Sequence, residues 1–184
     1  MSDVVIVDYG AGNTRSVRAA LAHVGHQGVV AADADSIRSA RFVILPGVGS
    51  ARSAMSHLNE TGAADAIRQR HDAGDPTLGI CLGLQLALEE SEEDGGVTGL
   101  GVLPGRVVRL TGDRVPRIGW AVVEPWGEAY YFAHAYAAES PSAVATSEGV
   151  SVAVEDGAFL GVQFHPEKSG AAGLRFLERC LSRA

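Results

Sequence analysis

The apolar positions of this chain fall into two regimes. In the first half, short unbroken apolar runs alternate with stretches of helical period. Residues 4–9 form a near-continuous apolar run, the pattern of a strand buried on both faces. A helix is predicted from Asn13, a residue able to cap it, to about His23, with Val17, Leu21 and Val24 on one side and Gly25 as its stop. Gly28–Ala31 reads as a weaker strand and Phe42–Leu45 as a clear one, ended by Pro46-Gly47-Val48-Gly49. Helical patterns over 51–58 and Ala63–Ala73 lead to another strand, Thr77–Ile80, and beyond it to the helical stretch Leu84-Gln85-Leu86-Ala87-Leu88-Glu89. This alternation predicts a parallel sheet covered by helices.

The second half reads differently. Short apolar stretches at 107–110, 119–123, 129–133 and Ala143–Ser147 are separated by turns rich in Gly, Pro and Asp. Residues 150–154 and 159–164 flank Asp156-Gly157, a dipeptide favoured in hairpin turns. The chain closes on a helix from about Ser169, with Ala171, Leu174, Leu177 and Leu181 as its buried side. The acidic run Glu89-Glu90-Ser91-Glu92-Glu93-Asp94, before Gly95-Gly96, reads as an exposed helix end and loop. No internal repeat, low-complexity tract or linker is visible. The predicted fold is α/β: an open, mostly parallel central sheet flanked by helices, with additional antiparallel strands in the second half. Residues 1–184 are expected to form a single domain.

Composition narrows the function classes. The net charge is −7, the pI is about 5.3, and the arginines are interleaved with acids instead of forming a stripe, so nucleic-acid binding is not expected. No apolar run approaches the roughly 18 residues of a membrane span, and no membrane role is expected. Met1-Ser2-Asp3 leads straight into Val4-Val5-Ile6-Val7 with no basic region or signal-peptide pattern, which points to a soluble protein of the reducing cytoplasm. The two cysteines, Cys81 and Cys180, show no C-x-x-C spacing and no Cys/His cluster, so neither a disulfide nor a metal site is expected.

The candidate chemistry starts at Cys81, at the corner between a strand and a helix, with Gly79 and Gly83 two positions to either side. Such a tight turn leaves no room for bulky neighbours. The helix N-terminus that follows places partial positive charge near the sulfur and favours the thiolate. A cysteine is most often a small buried hydrophobe, and Cys180, three residues after Leu177, reads that way. The flanking glycines shift Cys81 toward a nucleophile.

A thiol nucleophile needs a base and a group that orients it. His165 and Glu167 end a predicted strand and, two residues apart, project to one side, with Pro166 closing the strand between them. His134, in Tyr131-Phe132-Ala133-His134-Ala135-Tyr136, is the rival base, whereas His23, His26, His57 and His71 read as helix-end or solvated residues. Oxyanion donors are expected from the Leu82 N–H and from the loop carrying Gly47, Val48 and Gly49, both at the carboxyl ends of parallel strands. Asp8-Tyr9-Gly10-Ala11-Gly12-Asn13 begins like a dinucleotide fingerprint, but Arg15 stands where the third glycine belongs, so no cofactor is expected.

Taken together, these residues resemble the class I, triad-type glutamine amidotransferases, a flavodoxin-like α/β family whose Cys-His-Glu triad hydrolyses the side-chain amide of glutamine. The resemblance rests on the motif around Gly10, Leu45-Pro46-Gly47-Val48-Gly49, Gly79-Ile80-Cys81-Leu82-Gly83 with Gln85, Gly119-Trp120, the stretch from Tyr131 to Tyr136, and Gly161-Val162-Gln163-Phe164-His165-Pro166-Glu167-Lys168-Ser169. It implies that Cys81 attacks L-glutamine, that His165 and Glu167 complete the triad, and that Gln85 helps position the substrate. It also implies a heterodimer in which ammonia passes to a (β/α)8-barrel cyclase subunit, with Asn13, Trp120, Tyr136 and Lys168 at the interface. Arg117 and Ala121 stand where the family stretch usually has His and Asn, Thr14 replaces a usual leucine, and the chain is short for the family. Two other readings stay open: another glutaminase on this scaffold, such as that of pyridoxal phosphate synthesis or a free-standing γ-glutamyl hydrolase, and a non-catalytic binding subunit.

Overall fold

Unbroken apolar runs need cover on both faces, and the strands they form here are buried at every position: β1 (Val4–Val7) is all but inaccessible to solvent. In the computed structural model, which describes residues 4–10, 13–113 and 115–182, β1 is followed by α1 (Thr14–His23), β2 (Gly28–Ala31), α2 (Ala34–Ser39) and β3 (Phe42–Leu45). Then come α3 (Ala51–Glu60), α4 (Ala63–Ala73), β4 (Thr77–Ile80) and α5 (Leu82–Ala87). The second half holds β5 (Glu90–Ser91), β6 (Val97–Thr98), β7 (Arg106–Arg109), β8 (Arg117–Val123) and β9 (Glu128–His134). It ends with β10 (Tyr136–Glu139), β11 (Ala143–Ser147), β12 (Val150–Asp156), β13 (Phe159–Val162) and α6 (Gly170–Leu181). Ala11 and Gly12 of the first motif lie outside the described residues.

The central sheet has seven strands in the order β11-β12-β13-β4-β3-β1-β2. The five from β13 to β2 run parallel, and β12 and β11 extend the sheet antiparallel at one end. This is the expected α/β architecture. A four-stranded sheet, β10-β7-β5-β6, and the β8–β9 hairpin stand beside it. One face of the central sheet packs on residues such as Leu58, Ile67 and Leu84, the other on Val17, Leu21, Phe176 and Leu177. Arg70, fully buried, donates its guanidinium to the carbonyls of Ala40 and Pro76, so its charge is met by hydrogen bonds instead of bare apolar surface.

Several local expectations change. Helix α2 was not foreseen; its cap is Asp33, whose carboxylate accepts from the Ser36 N–H at 2.8 Å. Asn13 precedes α1 but makes no side-chain cap bond, because its amide is directed to Glu167. On α6 the buried side is Gly173, Phe176, Leu177, Cys180 and Leu181, while Ala171 is exposed and Leu174 half-buried. Gly173 sets that rotation: a Cβ there would lie 1.9 Å from the Pro166 carbonyl oxygen, so the helix backbone packs directly on that turn. The hairpin of β12 and β13 turns through Gly157-Ala158, with Gly157 at φ +55°. The acidic run is not a simple solvated helix end. Glu90–Ser91 joins the second sheet, and Asp94 accepts from the Ser50 hydroxyl and the Arg52 N–H at the start of α3.

Candidate active site

Cys81 sits between β4 and α5 with φ +51° and ψ −105°, a conformation that costs an L-residue about 1–3 kcal/mol. The surroundings enforce it. The Cys81 N–H donates to Val162 O at 2.7 Å, and its carbonyl accepts the first helical bond, from Gln85 N at 3.2 Å. The glycines on either side have steric reasons. A Cβ on Gly83 would lie 1.9 Å from Leu45 O, and one on Gly79 would lie 2.8 Å from Gly83 O. Gly161 on β13 likewise makes room for Leu84. The nucleophile candidate is thus raised at the carboxyl end of β4, between the ends of β3 and β13.

His165 Nδ1 lies 2.8 Å from Glu167 Oε1, and Cys81 is the ring's second hydrogen-bonding and electrostatic neighbour. The route to this geometry differs from an extended strand. β13 ends at Val162, and Pro166–Lys168 forms a 3-10 turn that brings the carboxylate back onto the ring. Ser169 staples the turn: its hydroxyl donates to His165 O at 2.6 Å and accepts from the Tyr131 N–H at 2.9 Å. The His165 N–H donates in turn to Tyr131 O. Asn13 Nδ2 donates to Glu167 Oε1 at 2.9 Å, which fixes the carboxylate from the far side. Burial alone would push the His165 imidazole down. The hydrogen bonds and charges of Cys81 and Glu167 outweigh it and carry the group up to about 9, which favours the protonated ring.

The loop after β3 closes over the elbow. A Cβ on Gly47 would lie 2.1 Å from Ile80 O and 2.3 Å from the Leu82 nitrogen, so only glycine leaves the space in front of the Leu82 amide open. Tyr9 pins this loop. Its hydroxyl donates to Pro46 O at 2.5 Å and accepts from the Val48 N–H, and burial pushes the phenol well above its usual range.

A cavity of about 250 Å³ opens at this point. Of the residues singled out in the sequence, Gly47, Val48, Gly49, Cys81, Leu82, Gln85, Tyr136, His165 and Lys168 line it. Glu167 lies behind His165 with its side chain fully buried. Trp120 does not line the cavity; it is 58% exposed on the outer face of the β8–β9 hairpin, edge-on to Tyr131. Asn13 stands behind the wall, on Glu167.

The cavity also holds residues that the sequence reading assigned elsewhere or overlooked. Glu93, from the acidic run expected to be exposed, lines it, and its Oε2 is buried without a hydrogen-bond partner among the described residues. Burial and the neighbouring Asp94 raise its pKa. His134 lines the cavity too, but burial drives its pKa down to about 4 and its Nδ1 is bonded to Tyr136 O at 2.8 Å. A neutral ring tied to a backbone carbonyl makes a poor rival to His165. Gln163, wholly buried, places its Nε2 3.5 Å from Cys81 Sγ. Among the described residues no group of three or more His, Cys, Asp or Glu could hold a metal ion, and no helix is long and apolar enough to cross a membrane.

Residues 5–184 match the family described as glutamine amidotransferase class-I. The chain belongs to the class-I glutamine amidotransferases. The imidazole glycerol phosphate synthase subunit HisH of Symbiobacterium thermophilum is 45% identical to it, over 96% of this chain and 92% of that protein. The protein of the same description from Exiguobacterium sibiricum is 41% identical, over 95% of this chain and 92% of its own length. A crystal structure of a glutamine amidotransferase shares the fold with a TM-score of 0.81 at 24% identity, covering 97% of this chain and 98% of that one. Arg117 and Ala121 lie on the half-buried, inner side of β8. The Arg117 guanidinium sits 4.4 Å over the Phe132 ring and bonds Ser147 and Glu148.

Proposed function

We infer that this amidotransferase is the glutaminase subunit of imidazole glycerol phosphate synthase in histidine biosynthesis, with residues 1–184 acting as one domain. The observation that carries the chemistry is the strained Cys81 elbow with His165 held between its sulfur and Glu167. The choice of this synthase over other branches of the family is supported by the two HisH relatives at 45% and 41% identity across nearly the whole chain.

L-Glutamine enters the cavity with its side-chain amide at Cys81. The thiolate attacks the amide carbon, and the resulting oxyanion is held by the Leu82 N–H and the loop of Gly47, Val48 and Gly49. The protonated His165 gives its proton to the amide nitrogen, the C–N bond breaks, and ammonia leaves a γ-glutamyl thioester on Cys81. His165 then takes a proton from water as its oxygen attacks the thioester; glutamate departs and the thiolate–imidazolium pair is restored. Glu167, itself held by Asn13, keeps the ring oriented throughout. Glu93, with one carboxylate oxygen still to be partnered, offers an acceptor to the substrate's α-ammonium.

The ammonia passes to a (β/α)8-barrel cyclase subunit in a heterodimer. There it reacts with a phosphoribulosyl-formimino-carboxamide nucleotide to give imidazole glycerol phosphate and aminoimidazole carboxamide ribotide. Tyr136 and Lys168 at the cavity, and Trp120 on the hairpin's outer face, are the contacts we assign to the cyclase. Ile118, Trp120 and Val122 on that face are all exposed, which suits the apolar core of an interface. The test is glutamate release from glutamine with and without the cognate cyclase and its nucleotide. Stimulation by the loaded cyclase that disappears in Cys81→Ala is expected. Equal hydrolysis without any partner would place the chain in another branch, and turnover independent of Cys81 would refute the mechanism.

A further inference from the structure

Two buried glutamines lie between the nucleophile and β10, and one backbone carbonyl fixes the orientation of both. Gln85 Nε2 lies 3.1 Å from Tyr136 O and 3.1 Å from Gln163 Oε1. A carbonyl oxygen can only accept, so the end of Gln85 that meets Tyr136 O must be its NH2 group. The same NH2 group then requires an acceptor on Gln163, which turns the Gln163 oxygen toward Gln85. The remaining end of Gln163, its Nε2, is the one 3.5 Å from Cys81 Sγ. The direction of every donor in this chain therefore follows from the Tyr136 carbonyl alone. His134 Nδ1 bonds the same carbonyl at 2.8 Å, which leaves it well anchored.

We propose that Gln163 is a further catalytic residue, an N–H donor to the Cys81 sulfur, and that Gln85 is a positioning residue that holds Gln163 in the donating orientation. This rests on the reading of Cys81 as the nucleophile. An N–H aimed at sulfur stabilises a thiolate more than a thiol, because the bond is strengthened by the full negative charge. His165 and Gln163 then hold the sulfur from two directions and fix its rotamer for attack. Gln85 thereby acquires a task apart from the substrate: both hydrogens of its NH2 group are spent within the protein. Because Tyr136 lines the cavity and begins β10, a shift of that strand would reach the sulfur through two side chains.

Alkylation of Cys81 by iodoacetamide in the purified chain tests this without glutamine or partner. Gln163→Met keeps the volume and removes the donor; the alkylation rate at pH 7 is expected to fall about tenfold, the loss of one charge-assisted hydrogen bond. Gln163→Glu keeps an acceptor for Gln85 but turns an oxygen toward the sulfur, and is expected to fall at least as far. Gln85→Leu is expected to slow alkylation in the same direction although the side chain is not bonded to sulfur. With the cyclase present, Gln163→Met should lower kcat and leave KM within about twofold, as for an interaction made at the reacting atom. Wild-type rates in Gln163→Glu or in Gln163→Met, with melting temperatures unchanged, would overturn the donor role, and a wild-type rate in Gln85→Leu would overturn the positioning role. Should wild type release no glutamate even with the loaded cyclase, the functional reading fails while the alkylation rates still decide the fate of this one.

Discussion

Within one small cavity, two histidines are driven to opposite charge states by what surrounds them. His165 is carried up to about 9 against its own burial by Cys81 and Glu167, whereas His134 is pushed down to about 4, chiefly by burial, with Arg117 and His165 adding positive charge nearby. The stability consequences have opposite signs. The favourable term of His165 is fully present below its unfolded value and is lost as pH rises through about 9. For His134 the unfolded chain takes up a proton that the folded one refuses, so stability falls as pH drops from 6.5 toward 4, by about 3 kcal/mol in all. Thermal melts between pH 7 and pH 4 should therefore show a smaller acid-side loss in His134→Gln than in wild type. Parallel pH slopes for the two would remove His134 from this role. Glu93 makes a separate prediction. Replacing it with Gln should raise KM for glutamine about tenfold with little change in kcat, the mark of an ionic contact made equally in ground and transition states. Steady-state kinetics with the loaded cyclase would show this, and an unchanged KM would leave the buried Glu93 oxygen without a purpose in substrate binding.

At the scale of elements, the site is the meeting of three strand ends: the loop after β3, the elbow after β4 and the turn after β13. Their fit is close enough that single atoms matter. Gly47→Ala would put a methyl group 2.1 Å from Ile80 O, against backbone that cannot yield cheaply, so glutamate release should fall by about 10²-fold while circular dichroism shows the fold retained. Near-normal turnover in that variant would mean that the loop contributes no oxyanion donor. The elbow was legible in the sequence because glycines two residues either side of Cys81 have almost no other use at a strand-to-helix corner. The parallel strands were legible because doubly buried strands are uniformly apolar. What stayed hidden depends on long-range contact. Six residues of α2 with one buried side chain leave no period to read. Nothing in an acidic run tells which of its members turns inward, so Glu93 looked like its neighbours. The His165–Glu167 bond was foreseen, but by a strand geometry, whereas the chain uses a 3-10 turn held by Ser169. Asn13 carried a helix-cap signature that Glu167, 154 positions away, overrides.

For the whole molecule, the exposed apolar face of the β8–β9 hairpin and the catalytic cavity share one wall, since Tyr131 backbone groups bond both His165 and Ser169. A subunit docked on the hairpin therefore presses on the segment that carries the base. Trp120→Glu should weaken cyclase binding by about 10- to 100-fold in a fluorescence or calorimetric titration, the range of a central aromatic anchor. Partner-free alkylation of Cys81 should stay at the wild-type rate, and unaltered cyclase affinity would move the interface elsewhere. The most direct measurement is the fate of the amide nitrogen. Glutamine labelled with nitrogen-15 in its side-chain amide is supplied to the complex with cyclase and nucleotide, in a medium containing unlabelled ammonium. If Cys81 generates ammonia that is handed to the partner, the label appears undiluted in imidazole glycerol phosphate and vanishes from the product with Cys81→Ala. Label released to the medium, with unlabelled nitrogen in the product, would contradict the delivery on which this function rests.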